Sequence, residues 1–141
     1  MSPWLLDTGP LVAYLDGDDP AHTQVAICVD AYAGQLCTTS AVITEGMHLV
    51  GADPNGPTLL ADFIESAGVI ISECTQPGQL KRAVALMRKY ADTPMDFADA
   101  TLVLLADELR VADVLTLDRR GFSTYTTARG KPFRRVLDPG A

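Results

Sequence analysis

Two aspartates follow short apolar runs and are the first candidates for chemistry. Asp7 follows residues 4–6 (WLL), and Asp118 follows residues 114–117 (VLTL). Such runs are typical of buried strands, and the ligands of parallel sheets bind outside the carboxyl ends of the strands. An unpaired carboxylate at a buried position is costly, so each aspartate needs a cation, a metal ion or water. The pattern predicts a carboxylate site at one edge of a sheet.

Three further acids are candidates for the same site. Glu45 lies within the helical segment 41–49 (AVITEGMHL), and no basic residue lies within one helical turn of it. Asp99 precedes the apolar run 102–105, which predicts a position on or near a buried face. Asp96 and Asp99 have the spacing of a helix capping box.

Each of these acids also has an ordinary structural interpretation. Asp7 and Asp118 could cap the turns that follow them, and Asp96 and Asp99 could cap a helix. Glu45 could face solvent. The combination is more informative than any single acid, because several neighbouring carboxylates repel one another unless a cation is present. Oxygen ligands suit hard cations such as Mg²⁺ or Mn²⁺, which could activate water and stabilise charge on a phosphodiester.

Other site chemistries find little support in the composition. Three cysteines without C-x-x-C spacing argue against a disulfide framework and a zinc site, and are typical of reduced cytosolic thiols. Only two histidines occur, which excludes a histidine-rich metal centre. The start MSPWLLDTGP lacks a basic leader, and no segment approaches the length of a membrane span, so a cytoplasmic protein without a membrane partner is expected.

The charge is distributed unevenly. The net charge is −7, yet residues 1–80 contain no Lys or Arg, and residues 81–141 hold all eleven basic residues against eight acids, a net of +3. Overall acidity argues against non-specific nucleic-acid binding, but a local basic tail could hold phosphates. A solvated or partner-binding tail is an equally good interpretation. The candidates for contact with a nucleic-acid backbone are Arg119, Arg120, Arg129, Lys131, Arg134 and Arg135.

Short strands that alternate with helices must position these residues. The expected strands are 4–6, 35–38, 69–71, 114–117 and 133–137, and the expected helices are 22–33, 41–50, 58–67, 77–90 and 96–109, preceded by a turn at Gly9-Pro10 and a first helix over residues 11–15. The helix 77–90 is expected to be amphipathic, with Leu80, Val84 and Met87 on its apolar face. Ser40 is the expected N-cap of the third helix, and residues 119–131 are expected to form a loop. This order predicts a single α/β domain over residues 1–141, with a mostly parallel central sheet and helices on both faces.

The chain resembles a PIN-domain ribonuclease, and more narrowly the VapC-type toxins of bacterial toxin–antitoxin pairs. The resemblance lies in LLDTGPLVAYLD, TTSAVITEGMHLV, PMDFADATLVLLADELRVADVLTLDRRGF and the basic tail. It covers residues 4–137 and implies a PIN-like three-layer sandwich. It further implies a metal-dependent endoribonuclease that acts as the toxin of a type II system, with RNA as substrate.

The same resemblance assigns roles to individual residues and partners. Asp7, Glu45, Asp99 and Asp118 correspond to the catalytic, metal-binding quartet for Mg²⁺ or Mn²⁺, and Asp96 to an additional acid that either touches metal through water or only caps the helix. The small polar residues expected to support the site are Thr8, Ser40 and Thr116. A cognate antitoxin and a homodimer are the implied protein partners.

Three alternatives stay open from the residues alone. Asp7-Thr8-Gly9 matches the aspartic-protease signature, but that chemistry needs two such aspartates. An aspartyl-nucleophile phosphatase would use Asp7 as nucleophile and Asp118 as metal ligand. Such enzymes usually carry a second aspartate where this chain has Gly9. A non-catalytic RNA- or partner-binding PIN-like module is the third, and the intact quartet argues against it.

Overall fold

A computed structural model describes residues 1–140 and confirms the α/β arrangement. Five parallel strands form one sheet in the order β3-β2-β1-β4-β5. The strands are β1 Trp4–Leu6, β2 Leu36–Thr39, β3 Ile70–Ser72, β4 Asp113–Leu115 and β5 Arg134–Arg135. The helices are α1 Thr8–Leu15, α2 His22–Ala31, α3 Ser40–Val50, α4 Gly56–Ser66, α5 Pro77–Lys89, α6 Phe97–Leu109 and α7 Arg119–Thr124.

The first strand, β1, lies at the centre of the sheet. Leu5 and Leu6 are fully buried, and they pair with Val114 and Leu115 of β4. On its other side β1 pairs with β2, in which all four residues are buried. Strands covered on both faces carry continuous apolar runs, which is the pattern that the sequence shows here. The carboxyl ends of β1 and β4 therefore lie side by side.

Helices cover both faces of the sheet. The right-handed crossovers of parallel strands place α1 to α4 on one face and α5 to α7 on the other. The packing agrees, since α1 contacts α2, α3 and α4, while α5 packs on α6. Every residue of α6 from Ala100 to Ala106 is buried, so this helix has no solvent face over two turns. Its burial fixes the position of its first turn, where Asp96 and Asp99 lie.

Two local expectations are wrong. Ser40 is not the N-cap of α3: it is the first helical residue, and the hydroxyl of Thr39 caps the helix by accepting a hydrogen bond from the Val42 N–H at 3.4 Å. Residues 119–131 are not wholly a loop, because α7 occupies residues 119–124. The Asp118 carboxylate caps α7, so the strand-end aspartate itself starts the helix.

The remaining differences are small shifts of the strand boundaries. The third strand begins one residue later than expected, β4 ends two residues earlier, and β5 contains two residues instead of five.

Leu80 and Val84, expected on the packed face of α5, are 40% and 46% exposed, and Ala83 is the buried residue. Within the described residues, no helix has the length and hydropathy that crossing a membrane requires.

Candidate active site

Asp7 lies at the junction of β1 and α1 and is buried. Its Oδ1 accepts a hydrogen bond from the Thr8 N–H at 2.8 Å, and its Oδ2 accepts one from the Thr116 hydroxyl at 2.7 Å. Burial raises the pKa of Asp7 to about 6, opposed by these two hydrogen bonds and increased further by the charges of Asp96 and Asp118. The helix-cap interpretation of Asp7 is therefore correct, and its carboxyl is also electrostatically strained.

Asp118 ends the β4 segment and is connected to Asp7 through one hydroxyl. The Asp118 N–H donates to the Thr116 oxygen at 3.0 Å, while the Thr116 hydroxyl donates to Asp7. The Asp118 carboxylate accepts a hydrogen bond from the Gly121 N–H at 2.9 Å. A Cβ on Gly121 would lie 2.2 Å from the other Asp118 oxygen, so only glycine leaves room for this cap.

Asp96 and Asp99 form the predicted capping box at the start of α6. The Asp99 N–H donates to Asp96 Oδ1 at 2.8 Å, and the Asp96 N–H donates to Asp99 Oδ2 at 3.2 Å. Asp99 is partly buried, and burial followed by the charges of Asp7 and Asp96 raises its pKa to about 8. Burial is the larger cause of this rise, and the remaining part comes from Asp7 and Asp96, so Asp99 lies within the electrostatic field of two other carboxylates.

The pKa of the Tyr125 hydroxyl is affected by the same four acids. Burial, and then the charges of Asp99, Asp118, Asp96 and Asp7, raise the pKa of its hydroxyl. The charges that act most strongly on Asp7 and Asp99 are negative as well. Four carboxyl groups thus lie near one another at the carboxyl edge of β1 and β4, in the field of their own charge.

Glu45 lies apart from this group, on a neighbouring groove. The groove has a volume of ≈ 670 Å³ and runs between α3 and the start of α6. Its polar and aromatic lining includes Ser40, Thr44, Glu45, His48, Asp96 and Phe97. Asp96 is common to the groove and to the acidic cluster. The sequence-predicted quartet is therefore divided into a group of three, joined by Asp96, and Glu45 across the groove.

The donor atoms of the cluster suit a hard divalent cation. All are oxygens, and the hydroxyl of Thr8 beside Asp7 is buried without a hydrogen-bond partner in the described structure. Within residues 1–140, no three His, Cys, Asp or Glu side chains lie close enough to bind one metal ion together. The carboxylates are instead oriented by capping hydrogen bonds, which engage Asp7, Asp96, Asp99 and Asp118.

The three predicted supporting residues differ in what they contact. Thr116 bridges Asp7 and Asp118, and Thr8 gives its N–H to Asp7. Ser40 lines the groove, but its hydroxyl donates to the Glu73 carbonyl at 3.2 Å rather than to an acid of the cluster.

The six predicted backbone-contact residues separate into two groups. Arg134 pairs with Asp113 at 2.8 Å, and Arg135 pairs with Asp138, so their charge is largely compensated. Arg119, Arg120, Arg129 and Lys131 form no ion pair within residues 1–140.

Sequence reasoning missed Tyr125. Its hydroxyl donates to the Pro94 carbonyl at 3.0 Å, which joins the segment after α7 to the segment before α6. Gly121, three residues after Asp118, was the available signal in the sequence, because it allows the Asp118 carboxylate to cap a helix. That helix, α7, ends beside Tyr125.

Comparison with known proteins identifies the family of the chain. The chain matches the PIN domain family over residues 4–127. It is 34% identical over 131 residues to Ribonuclease VapC26 of Mycobacterium tuberculosis, covering 92% of this chain and 96% of that protein. The crystal structure of VapC20 of Mycobacterium tuberculosis, a sarcin-ricin loop cleaving toxin, shares the fold with a TM-score of 0.75 at 16% identity, over 84% of this chain and 91% of that one. The chain therefore belongs to the PIN domain family and, within it, to the VapC-type ribonucleases.

Proposed function

We propose that this protein is an endoribonuclease toxin that hydrolyses RNA phosphodiester bonds and is paired with a cognate antitoxin. The observation that carries the proposal is the grouping of four acids after β1 and β4 and at the start of α6: the Thr116 hydroxyl joins Asp7 to Asp118, and Asp96 and Asp99 cap each other. Burial and mutual charge raise the pKa of Asp7 and of Asp99 there, which favours a bound cation. The ribonuclease VapC26 is a relative over nearly its whole length, which supports the same activity here.

Asp7, Asp99 and Asp118 are the proposed ligands of Mg²⁺ or Mn²⁺, and to share one ion their side chains would have to turn from the capping positions described above. Glu45 and Asp96 would complete the set directly or through water from the edge of the groove. A bound divalent ion lowers the pKa of water and neutralises charge on a phosphodiester during displacement. Thr116 has a positioning role, because its hydrogen bond holds Asp7 and its oxygen anchors the backbone of Asp118.

The proposed reaction is an in-line attack of water on phosphorus. The bond to the 3′ oxygen breaks, so the products carry a 5′-phosphate and a 3′-hydroxyl. The substrate would enter through the groove between α3 and α6, which has Glu45 and Asp96 along its wall and Phe97 as an aromatic surface. Arg119, Arg120, Arg129 and Lys131 are the basic residues best able to hold phosphates, because Arg134 and Arg135 are already paired.

The activity is tested with Asp99→Asn, which keeps the size of the side chain and removes its charge. We expect RNA cleavage to fall to background in Asp99→Asn, and in the wild type when excess chelator is added. The matched control is Asp62→Asn, the same change at an exposed position of α4, which should cleave as the wild type does. The measurement is sequencing of RNA ends after incubation with Mg²⁺ or Mn²⁺. Full activity of Asp99→Asn would refute the assignment.

The phosphatase and the binding module predict different outcomes of the same assay. A phosphatase would turn over a generic phosphomonoester and leave RNA intact. A binding module would hold RNA tightly and cleave no substrate in any divalent metal. In the cell, expression of the toxin should arrest growth, and expression of the neighbouring antitoxin gene should relieve the arrest. A homodimer is the proposed form in solution, and its mass is measurable by light scattering.

A further inference from the structure

A basic groove lies on the face of the molecule formed by α5, α6 and the segment 126–131. Its main part has a volume of ≈ 340 Å³, and an adjoining cavity of ≈ 40 Å³ shares Asp107 and Thr127 with it. The charged residues along both parts are Arg82, Lys89, Arg110, Arg129, Lys131 and Asp107. Their net charge is +4, in a chain whose total is −7.

No acid neutralises these basic side chains within residues 1–140, although Lys89 Nζ lies over the Tyr90 ring, 5.2 Å from its centroid. None of the five forms an ion pair within residues 1–140, in contrast to Arg134 and Arg135. The one acid of the groove is occupied, because the Asp107 carboxylate accepts a hydrogen bond from the Ala128 N–H at 2.7 Å. Asp107 therefore anchors the segment that carries Arg129 and Lys131, and the basic charges are left for a ligand.

The segment 126–131 is held in one conformation. The Thr127 N–H donates to the Lys131 carbonyl at 2.9 Å, and the Lys131 N–H donates to the Thr127 hydroxyl at 3.1 Å. Gly130 has a φ of 74°, which suits glycine at this turn. A rigid turn loses little conformational entropy when its side chains contact a ligand.

Two tyrosines that pack edge to face connect this groove to the acidic cluster. Tyr90 follows Lys89 directly and accepts a hydrogen bond from the Thr126 N–H at 3.1 Å. Its ring packs against Tyr125 in an edge-on geometry with centroids 4.9 Å apart. The Tyr125 hydroxyl lies in the electrostatic field of the clustered aspartates. The groove thus begins beside the candidate active site and leads away from it.

We infer that the basic groove binds the sugar–phosphate backbone of the RNA outside the cut, as an extended substrate site that rests on the proposed function. Arg82 and Lys89 are seven residues apart, so they lie on one face of α5 and about 10 Å apart along its axis. That spacing suits contacts with phosphates of different nucleotides.

A polyanion fits this surface better than an acidic protein does. Protein interfaces depend on large exposed apolar or aromatic side chains in their centre. The large exposed apolar residues of α5, Leu80 and Val84, line instead a neighbouring cavity with Lys81 and Arg88, which meets the groove only at Ala85. The groove offers charges in sequence along its length, which is the arrangement that repeated phosphates match.

The same helix supplies a matched control for the test. The double variant Arg82→Gln/Lys89→Gln removes two charges from the groove, and Lys81→Gln/Arg88→Gln removes the same two residue types from the other stripe of α5. Binding of a fluorescent mixed-sequence single-stranded RNA is measured by anisotropy, in chelator, over a range of KCl concentrations. We expect the first variant to reduce the slope of log K against log salt by about 1.4, since each phosphate contact contributes about 0.7. The second variant should match the wild type.

Two further measurements decide between outcomes. Arg82→Lys/Lys89→Arg should retain RNA affinity, and circular dichroism should show all three variants folded. In cleavage assays with divalent metal, Arg82→Gln/Lys89→Gln should raise KM and leave kcat unchanged. Equal loss in both glutamine variants, or unchanged RNA affinity with loss of antitoxin binding, would overturn the inference.

Failure of the groove and failure of the nuclease are distinguishable. Groove-dependent RNA binding without any cleavage by the wild type would support the groove and refute the nuclease. Metal-dependent cleavage with an unchanged KM in Arg82→Gln/Lys89→Gln would refute the groove and leave the nuclease standing.

Discussion

Thr116 is the residue on which the geometry of both strand-end carboxylates depends. Its hydroxyl donates to Asp7 at 2.7 Å and its oxygen accepts the Asp118 N–H at 3.0 Å. A single side chain therefore satisfies one carboxylate oxygen and one backbone amide that belong to different strands.

Thr116→Val should lower RNA cleavage by about tenfold or more, the usual effect of losing a residue that orients a metal ligand. The Thr116 hydrogen bond lowers the pKa of Asp7, so without it this pKa rises above about 6 and the acidic limb of the activity profile moves to higher pH. The measurement is cleavage rate against pH. Thr116→Ser keeps the hydroxyl and should restore the wild-type profile, and an unshifted profile in Thr116→Val would contradict the role.

The positions of Asp7 and Asp118 were predictable, because a carboxylate that directly follows a buried apolar strand must lie at the carboxyl edge of the sheet. The proposed roles of Glu45 and Asp99 could not be derived in this way, because a helical acid has a favourable solvent-facing or capping position. Arg82 and Lys89 were also not identified as groove residues, since the face that a helix turns toward its neighbour depends on tertiary packing.

At the scale of elements, the end of α3 and the start of α4 pack closely at Gly56. Among the glycines of the described structure, Gly56 makes the closest approach to the backbone of another segment. A Cβ on Gly56 would lie 1.9 Å from the Val50 carbonyl oxygen. Gly78 occupies a comparable position in the first turn of α5, also next to a proline, yet a Cβ there would meet nothing within 4 Å.

Gly56→Ala should destabilise the protein by about 2 kcal/mol or more, because the backbone of α3 must move to admit the methyl group. Gly78→Ala should leave the free energy of unfolding unchanged or raise it by up to about 1 kcal/mol, because alanine restricts the unfolded chain. Both values come from urea denaturation. Equal free energies of unfolding for the two variants would contradict the prediction, because they would show that the backbone of α3 moves at little cost.

Helix and strand positions were predicted to within a few residues wherever the apolar periodicity was long, as in α6. α7 was missed because it has six residues, too few to show a helical period. The face of α5 was misassigned because the small residue Ala83 packs against the core, and hydrophobicity alone ranks Leu80 and Val84 above it.

At the scale of the whole molecule, the acidic cluster makes stability depend on pH in an unusual direction. The pKa of Asp7 rises from 3.8 to about 6 and that of Asp99 from 3.8 to about 8, so the folded protein holds more protons than the unfolded chain between about pH 4 and about pH 8. The free energy of unfolding then falls as pH rises through this window. For Asp7 alone, the shift corresponds to about 3 kcal/mol.

The metal-free protein should therefore melt at a lower temperature at about pH 8 than at about pH 5. Mg²⁺ or Mn²⁺ should raise the melting temperature more at the higher pH, because the ion binds ionised carboxylates. The measurement is calorimetry in chelator and in each metal. Asp7→Asn should flatten the metal-free dependence. A protein that is more stable at about pH 8 than at about pH 5 in chelator would contradict the charge cluster.

The central position of β1 determines when, during synthesis of the chain, the candidate active site can form. The hydrogen bond between Thr116 and Asp7 joins residues 109 positions apart, and six helices and two strands, α1 to α6 with β2 and β3, lie between β1 and β4 in the chain. A chain still being synthesised therefore carries Asp7 without its partner strand and has no assembled site. Ribosome-bound intermediates should be harmless to the RNA around them, and competence for cleavage should appear only once the last third of the polypeptide has been released and folded.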